Sequence, residues 1–175
     1  MSSKAATEPE PWLRGPVPGI ASLLQPVAHS LLQAVEDMRR VVTPLQHDAL
    51  WARPGGAASV GFHVRHAGGA LDRLFTYARG EMLSAEQRAA LARETAPEGQ
   101  GDADAATLVG AFVTQVNRAL GQLRATSVDR LSEAREVGRA KLPSTVLGLL
   151  FHGAEHTQRH VGQTIATARV VTARE

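Results

Sequence analysis

Four times along the chain, apolar residues return at intervals of three and four, and that period commits most of it to packed helices. The clearest run is Ile20, Leu23, Leu24, Val27, Leu31, Leu32, Val35, Met38 and Val42, whose side chains gather on one helical face at ~100° per residue. Pro44 and the Pro54-Gly55-Gly56 cluster break it, leaving room for a short turn over residues 45–51. A second run, Val60, Val64, Ala67, Leu71, Leu74, Phe75 and Ala78, follows Ser59 as N-cap and stops at Gly80. Residues 84–93 read as a short helix and 97–104, rich in glycine and acid, as a loop. Leu108, Phe112, Val113, Val116, Leu120 and Leu123 mark a third long helix. Residues 126–141 show no clear period and are expected to be irregular. The last helix should open after Pro143 with Ser144 as its cap, pass through Val146, Leu147, Leu149, Leu150 and Phe151, and run to about Val171.

Four long helices, short connectors and few alternating β-branched runs predict an all-α fold, a four-helix bundle. Residues 1–15, with Pro9 and Pro11, are expected to form a flexible tail, and 16–175 the bundle. A chain of 175 residues buries a sufficient core without staples, so any metal would be functional before it is structural. Cysteine is absent, which excludes disulfides and thiolate ligands and leaves coordination to histidine and carboxylate. Nineteen basic residues against seventeen acidic leave a net charge of +2, with the basic residues scattered singly or as Arg39 and Arg40. That is not the basic, aromatic-interleaved groove that nucleic acid requires, and no nucleic-acid partner is expected. No run approaches the ~18 apolar residues of a membrane span, and Met1 to Pro11 lacks the basic start and apolar core of a signal peptide. The expectation is a cytoplasmic protein with no membrane association.

The last helix carries His152, His156 and His160 at strict four-residue spacing, and His63 and His66 lie about ninety residues upstream. A step of four turns a helix by only ~40°, so two such rings reach one ion from adjacent turns. A third ligand must come from a facing helix, and the His63/His66 pair is its natural source. Three imidazoles leave coordination positions open for water or substrate. The zinc-protease pattern HExxH fails, because Thr157 follows His156 where the glutamate should stand, and Glu155 lies on the other side of that histidine.

Two segments carry a family resemblance. Ser59-Val60-Gly61-Phe62-His63-Val64-Arg65-His66-Ala67, continued by Leu71-Asp72-Arg73-Leu74 and Thr76-Tyr77-Ala78-Arg79-Gly80, resembles the second helix of the DinB/YfiT-like proteins. Glu155-His156-Thr157-Gln158-Arg159-His160-Val161-Gly162-Gln163 resembles their last-helix HxxxHxGQ motif. The resemblance covers nearly the whole chain in helix order and length. It implies a four-helix bundle, often dimeric, holding a divalent transition metal, zinc or nickel, through one histidine of the second helix and two of the last. By position these are His66, His156 and His160. The family's helix-opening residue, commonly Trp, is Ala58 here. The resemblance further implies a metal-dependent thiol transferase or hydrolase acting on a small molecule, with a low-molecular-weight thiol as the candidate partner and a homodimer as the assembly.

Several neighbours are candidates for supporting roles. His63 and His152 each lie one turn from a ligand and are expected to line the pocket. Gln163 is a candidate to fix a ligand's tautomer. Glu155 is expected to be exposed or salt-bridged, and Arg159 to be solvated or to steer an anionic substrate. His29 and His47 read as structural or surface residues. The rival from another class is a non-catalytic dimerisation or partner-binding module whose histidines hold a structural metal or none.

Overall fold

The computed structural model describes residues 8–95 and 103–173. Residues 1–7 of the expected tail and 97–102 of the expected loop lie outside the described residues. The chain is mostly helical, with six α-helices and one small sheet among the described residues: α1 (Gln25–Val42), α2 (His47–Trp51), α3 (Val60–Ala78), α4 (Ala85–Thr95), α5 (Ala105–Ala125), β1 (Ala134–Val137), β2 (Leu142–Thr145) and α6 (Val146–Thr172). No described helix is long and apolar enough to cross a membrane.

The helix ends follow local chemistry. Ser59 accepts from the Phe62 N–H at 3.1 Å and opens α3, and Asp104 accepts from the Thr107 N–H at 2.7 Å to open α5. α3 closes with Gly80 at φ +83°, a left-handed conformation that costs a glycine little. There the Gly80 N–H donates to the Tyr77 carbonyl and the Glu81 N–H to the Thr76 carbonyl, the paired bonds of a Schellman stop. α4 begins with a reciprocal box: the Gln87 N–H donates to Ser84 Oγ, and the Ser84 N–H to Gln87 Oε1.

α1 and α3 each pack against both α5 and α6. Between them lies the core, with Leu31 and Met38 of α1, Leu71 and Phe75 of α3, Phe112 and Leu123 of α5, and Leu150 of α6 all buried. α3 and α6 approach closely at Gly153, where an added Cβ would stand 2.9 Å from Phe75 Cε2. That close contact lies one turn before the His156 position and sets α6 against the histidine face of α3.

Three local expectations are corrected. The first helix begins at Gln25 rather than near Ile20, after a 3₁₀ turn over Ser22–Leu24. Pro26 explains this, because proline has no N–H to give and is tolerated only in the first turn. Residues 126–141 are not wholly irregular. Ala134–Val137 pairs antiparallel with Leu142–Thr145 in the register Ala134 to Thr145 and Val137 to Leu142. The strands are four residues long and one holds Pro143, so neither shows an alternating pattern long enough to read. The cap of α6 is Thr145, which accepts from the Gly148 N–H at 3.0 Å, while Ser144 belongs to the hairpin. Arg135 fastens the hairpin to the end of α3 by donating to the Ala78 carbonyl at 2.9 Å.

Candidate metal centre

His63 and His66 leave α3 toward α6, and His156 and His160 leave α6 toward α3. Since α3 and α6 lie side by side, ninety residues of sequence separation collapse to contact distance. The ring centroids of His66 and His160 are 4.6 Å apart, those of His156 and His160 4.7 Å, and those of His66 and His156 5.4 Å. One nitrogen from each of His66, His156 and His160 can be chosen so that all three lie within 4.8 Å of one another. His160 is buried and the other two are partly so. Phe62 stacks on the His66 ring at 5.4 Å and 10°, which fixes its plane.

The hydrogen bonds decide which nitrogens face the centre. His66 Nδ1 is 2.9 Å from Glu94 Oε2, which leaves Nε2 for the interior. That Nε2 lies 3.2 Å from His156 Nε2. Such a separation suits one shared proton, and it is also close to the ~3.3 Å between two donors on one tetrahedral zinc with bonds of ~2.0–2.1 Å. His160 Nδ1 is 3.1 Å from His63 Nδ1, so one of these two rings donates to the other. When His160 is the donor, its Nε2 lone pair is free. The donor set therefore fits a divalent transition metal of the borderline-soft kind.

Electrostatics favour neutral rings. Burial, joined by the repulsion that Arg159 and any protonated neighbour among His66, His156 and His63 would exert, holds His160 down to about 3. His156 and His63 also lie below the ordinary imidazole value, with burial as the main cause and the charge of His66 next. Each of these three rings is thereby favoured as a neutral imidazole, with one N–H and one nitrogen lone pair.

Sequence reasoning missed Glu94, which touches His66, and Arg73, which holds Glu94. Glu94, near the end of α4, is buried, and Arg73 of α3 grips its carboxylate with two hydrogen bonds of 2.7 and 3.0 Å. Burial raises the Glu94 carboxyl, but hydrogen bonds from His66 and Arg73 outweigh it and hold the group below its ordinary range. A signal was present in Arg73, which follows His66 by two helical turns and therefore shares its face. Gly69 between them was a second, since a glycine inside a helix often marks close approach.

The remaining candidates spread around this centre. His63 is buried against His160. His152 is half exposed and pairs through Nδ1 with Glu155 at 3.1 Å. Glu155 also accepts from Arg159 at 2.6 Å, which gives both residues a surface salt bridge. Gln163 is exposed two turns beyond His156, and no hydrogen bond joins it to His66, His156 or His160 among the described residues. A pocket of about 350 Å³ opens beside His66 and His156. His152 and Arg73 lie on its wall with the apolar Ala70, Leu74, Leu83 and Leu91 and with Tyr77.

A helical protein with three converging imidazoles from two facing helices is thus the class that fold and site define. The family comparison agrees: the DinB superfamily matches residues 30–164, and the chain belongs to that superfamily. Comparison with curated proteins gives no match. The crystal structure of a conserved protein from Enterococcus faecalis is similar in fold, with a TM-score of 0.69 at 17% identity, covering 87% of this chain and 99% of that one.

Proposed function

We propose that this chain is a metal-dependent enzyme of the DinB type, a four-helix bundle in which His66, His156 and His160 hold one divalent ion, zinc or nickel. The observation that carries the reading is the convergence of three imidazole nitrogens within 4.8 Å beside an open pocket of about 350 Å³. Bound there, the ion would supply Lewis acidity toward a water or a small thiol. The chain's own residues do the rest. The neutral rings of His156 and His160 each offer one nitrogen lone pair, with no positive charge to repel a cation. Leu74, Leu83 and Leu91 give the pocket a dry wall for the carbon skeleton of a small molecule, and the ions on that wall are already matched, Arg73 by Glu94. His152 stands at the rim, held through Nδ1 by Glu155.

Two reactions suit such a site: thiol S-transfer, with a low-molecular-weight thiol as cosubstrate, and hydrolysis. We further propose a cytoplasmic location and a homodimer, the dimer supported by Leu147 and Phe151, which lie one turn apart on α6 and are both exposed. The deciding experiment is elemental analysis of untagged protein beside a His156→Ala/His160→Ala variant of unchanged helical circular dichroism. About one equivalent of transition metal in the parent and none in the variant is expected. Metal-loaded protein is then assayed on a small electrophile with and without thiol; turnover that needs thiol identifies a transferase, and turnover without it a hydrolase. A parent that cannot be loaded with zinc, nickel or manganese defeats the reading and leaves a non-catalytic helical module.

A further inference from the structure

We propose that Glu94 is a positioning residue of the metal centre: its carboxylate accepts the Nδ1–H of His66 and so keeps the Nε2 lone pair of that ring turned toward His156. The inference rests on the metal reading of the three histidines and gives Glu94 of α4 a role that reading does not assign.

Three observations carry it. The Glu94 side chain is 3% exposed, and its Oε2 lies 2.9 Å from His66 Nδ1. A carboxylate of this kind only accepts, so the proton in that bond sits on the ring, and a neutral ring with Nδ1–H has its lone pair on Nε2. Arg73 supplies the second observation. Its two parallel hydrogen bonds fix the plane of the carboxylate as well as its charge, which a single-point contact would not do. The third is Gly69. An added Cβ there would stand 2.1 Å from Glu94 Oε1 and 2.8 Å from Arg73 Nη1, so the absence of a side chain on α3 is what admits the pair. Glycine is the poorest helix former after proline; the α3 backbone has given up local propensity where the carboxylate enters. Without Glu94, the proton would distribute over both ring nitrogens and compete with a cation at Nε2.

The test uses the full chain. Apo-protein labelled with ¹⁵N-histidine reports which nitrogen of His66 carries the proton, with a His66→Gln sample for assignment. Zinc affinity is read by competition with a chromogenic chelator. Arg73→Met/Glu94→Leu removes both charges together, so neither is left buried alone. Gly69→Ala is the second variant; it alters no charged group and displaces the carboxylate by contact. The parent should hold His66 as Nδ1–H. Both variants, with parental circular dichroism, should populate Nε2–H and bind zinc roughly 10–100-fold more weakly. The proposal is overturned if the apo parent carries Nε2–H, or if a folded variant keeps the parental zinc affinity. Failure of the metal reading itself looks different, since the parent then binds no zinc whatever the tautomer of His66, and Glu94 has no centre to serve.

Discussion

His63 and His66 stand three residues apart on one helix face, yet they meet different partners. His66 spans from Glu94 to His156, while His63 reaches past it to His160. The same division runs through α6, where His156 and His160 face α3 and His152 turns to solvent with Glu155. This predicts that His152→Ala keeps the parent's metal content and changes stability by no more than about 0.5 kcal/mol, as exposed sites do. By contrast, on the proposed function His160→Ala should abolish tight metal binding, because it removes one of the three converging imidazoles. Elemental analysis and thermal melts of the two variants, run together, check the pair; equal metal loss in both would mean that His152 is a ligand after all.

α4 has the weakest apolar claim on the rest of the molecule. It is held to α3 largely by polar groups, since Gln87 Nε2 donates to Asp72 and Thr76 at 2.7 Å each and Glu94 meets Arg73 and His66. α3 and α6 are joined in the opposite way, by Phe75, Leu71 and Gly153 in close apolar contact. A bulky group at that contact must push the two helices apart. Gly153→Val is therefore expected to cost about 1–3 kcal/mol by overpacking and to lower metal affinity as well, measured by denaturant melts and chelator competition. A variant that lost stability but kept full affinity would show that the site tolerates the displacement. The entry to α6 offers a milder probe. Thr145→Ala removes the cap bond to the Gly148 N–H and should cost about 1 kcal/mol, with no change in metal content.

The large core does not depend on the histidine cluster. Leu31, Met38, Leu123 and many others are buried far along the helices, so the metal-free protein is expected to stay folded. Zinc should nonetheless stabilise it by mass action, by about 2.7 kcal/mol at a hundred times Kd, which for a chain of this length is a rise in Tm of roughly 5–10 °C. Calorimetry with and without chelator checks this; complete unfolding on chelation would instead mark a structural ion. The assembly is tested separately. Leu147→Asp/Phe151→Asp should shift the protein from dimer to monomer in sedimentation, and an unchanged dimer would place the interface elsewhere.

Helix order, the caps at Ser59 and the stop at Gly80 were legible before any coordinates, because each is written in a local period or in a backbone preference of one residue type. So was the HxxxH stripe of α6, since helical geometry alone puts His156 and His160 on one face. The hairpin at 134–145 was not, for four-residue strands carry too little period to stand out and are held by Arg135 reaching the end of α3. Glu94 was not legible either. It lies in a polar helix that reads as surface, and nothing within ten residues of it announces burial. Its role comes from Arg73 and His66 on another element, and from the Gly69 gap that lets it enter. Local chemistry is short-ranged and can be read along a chain; the pairing of a carboxylate with a ring twenty-eight residues away exists only once α3, α4 and α6 have packed and removed the water between them.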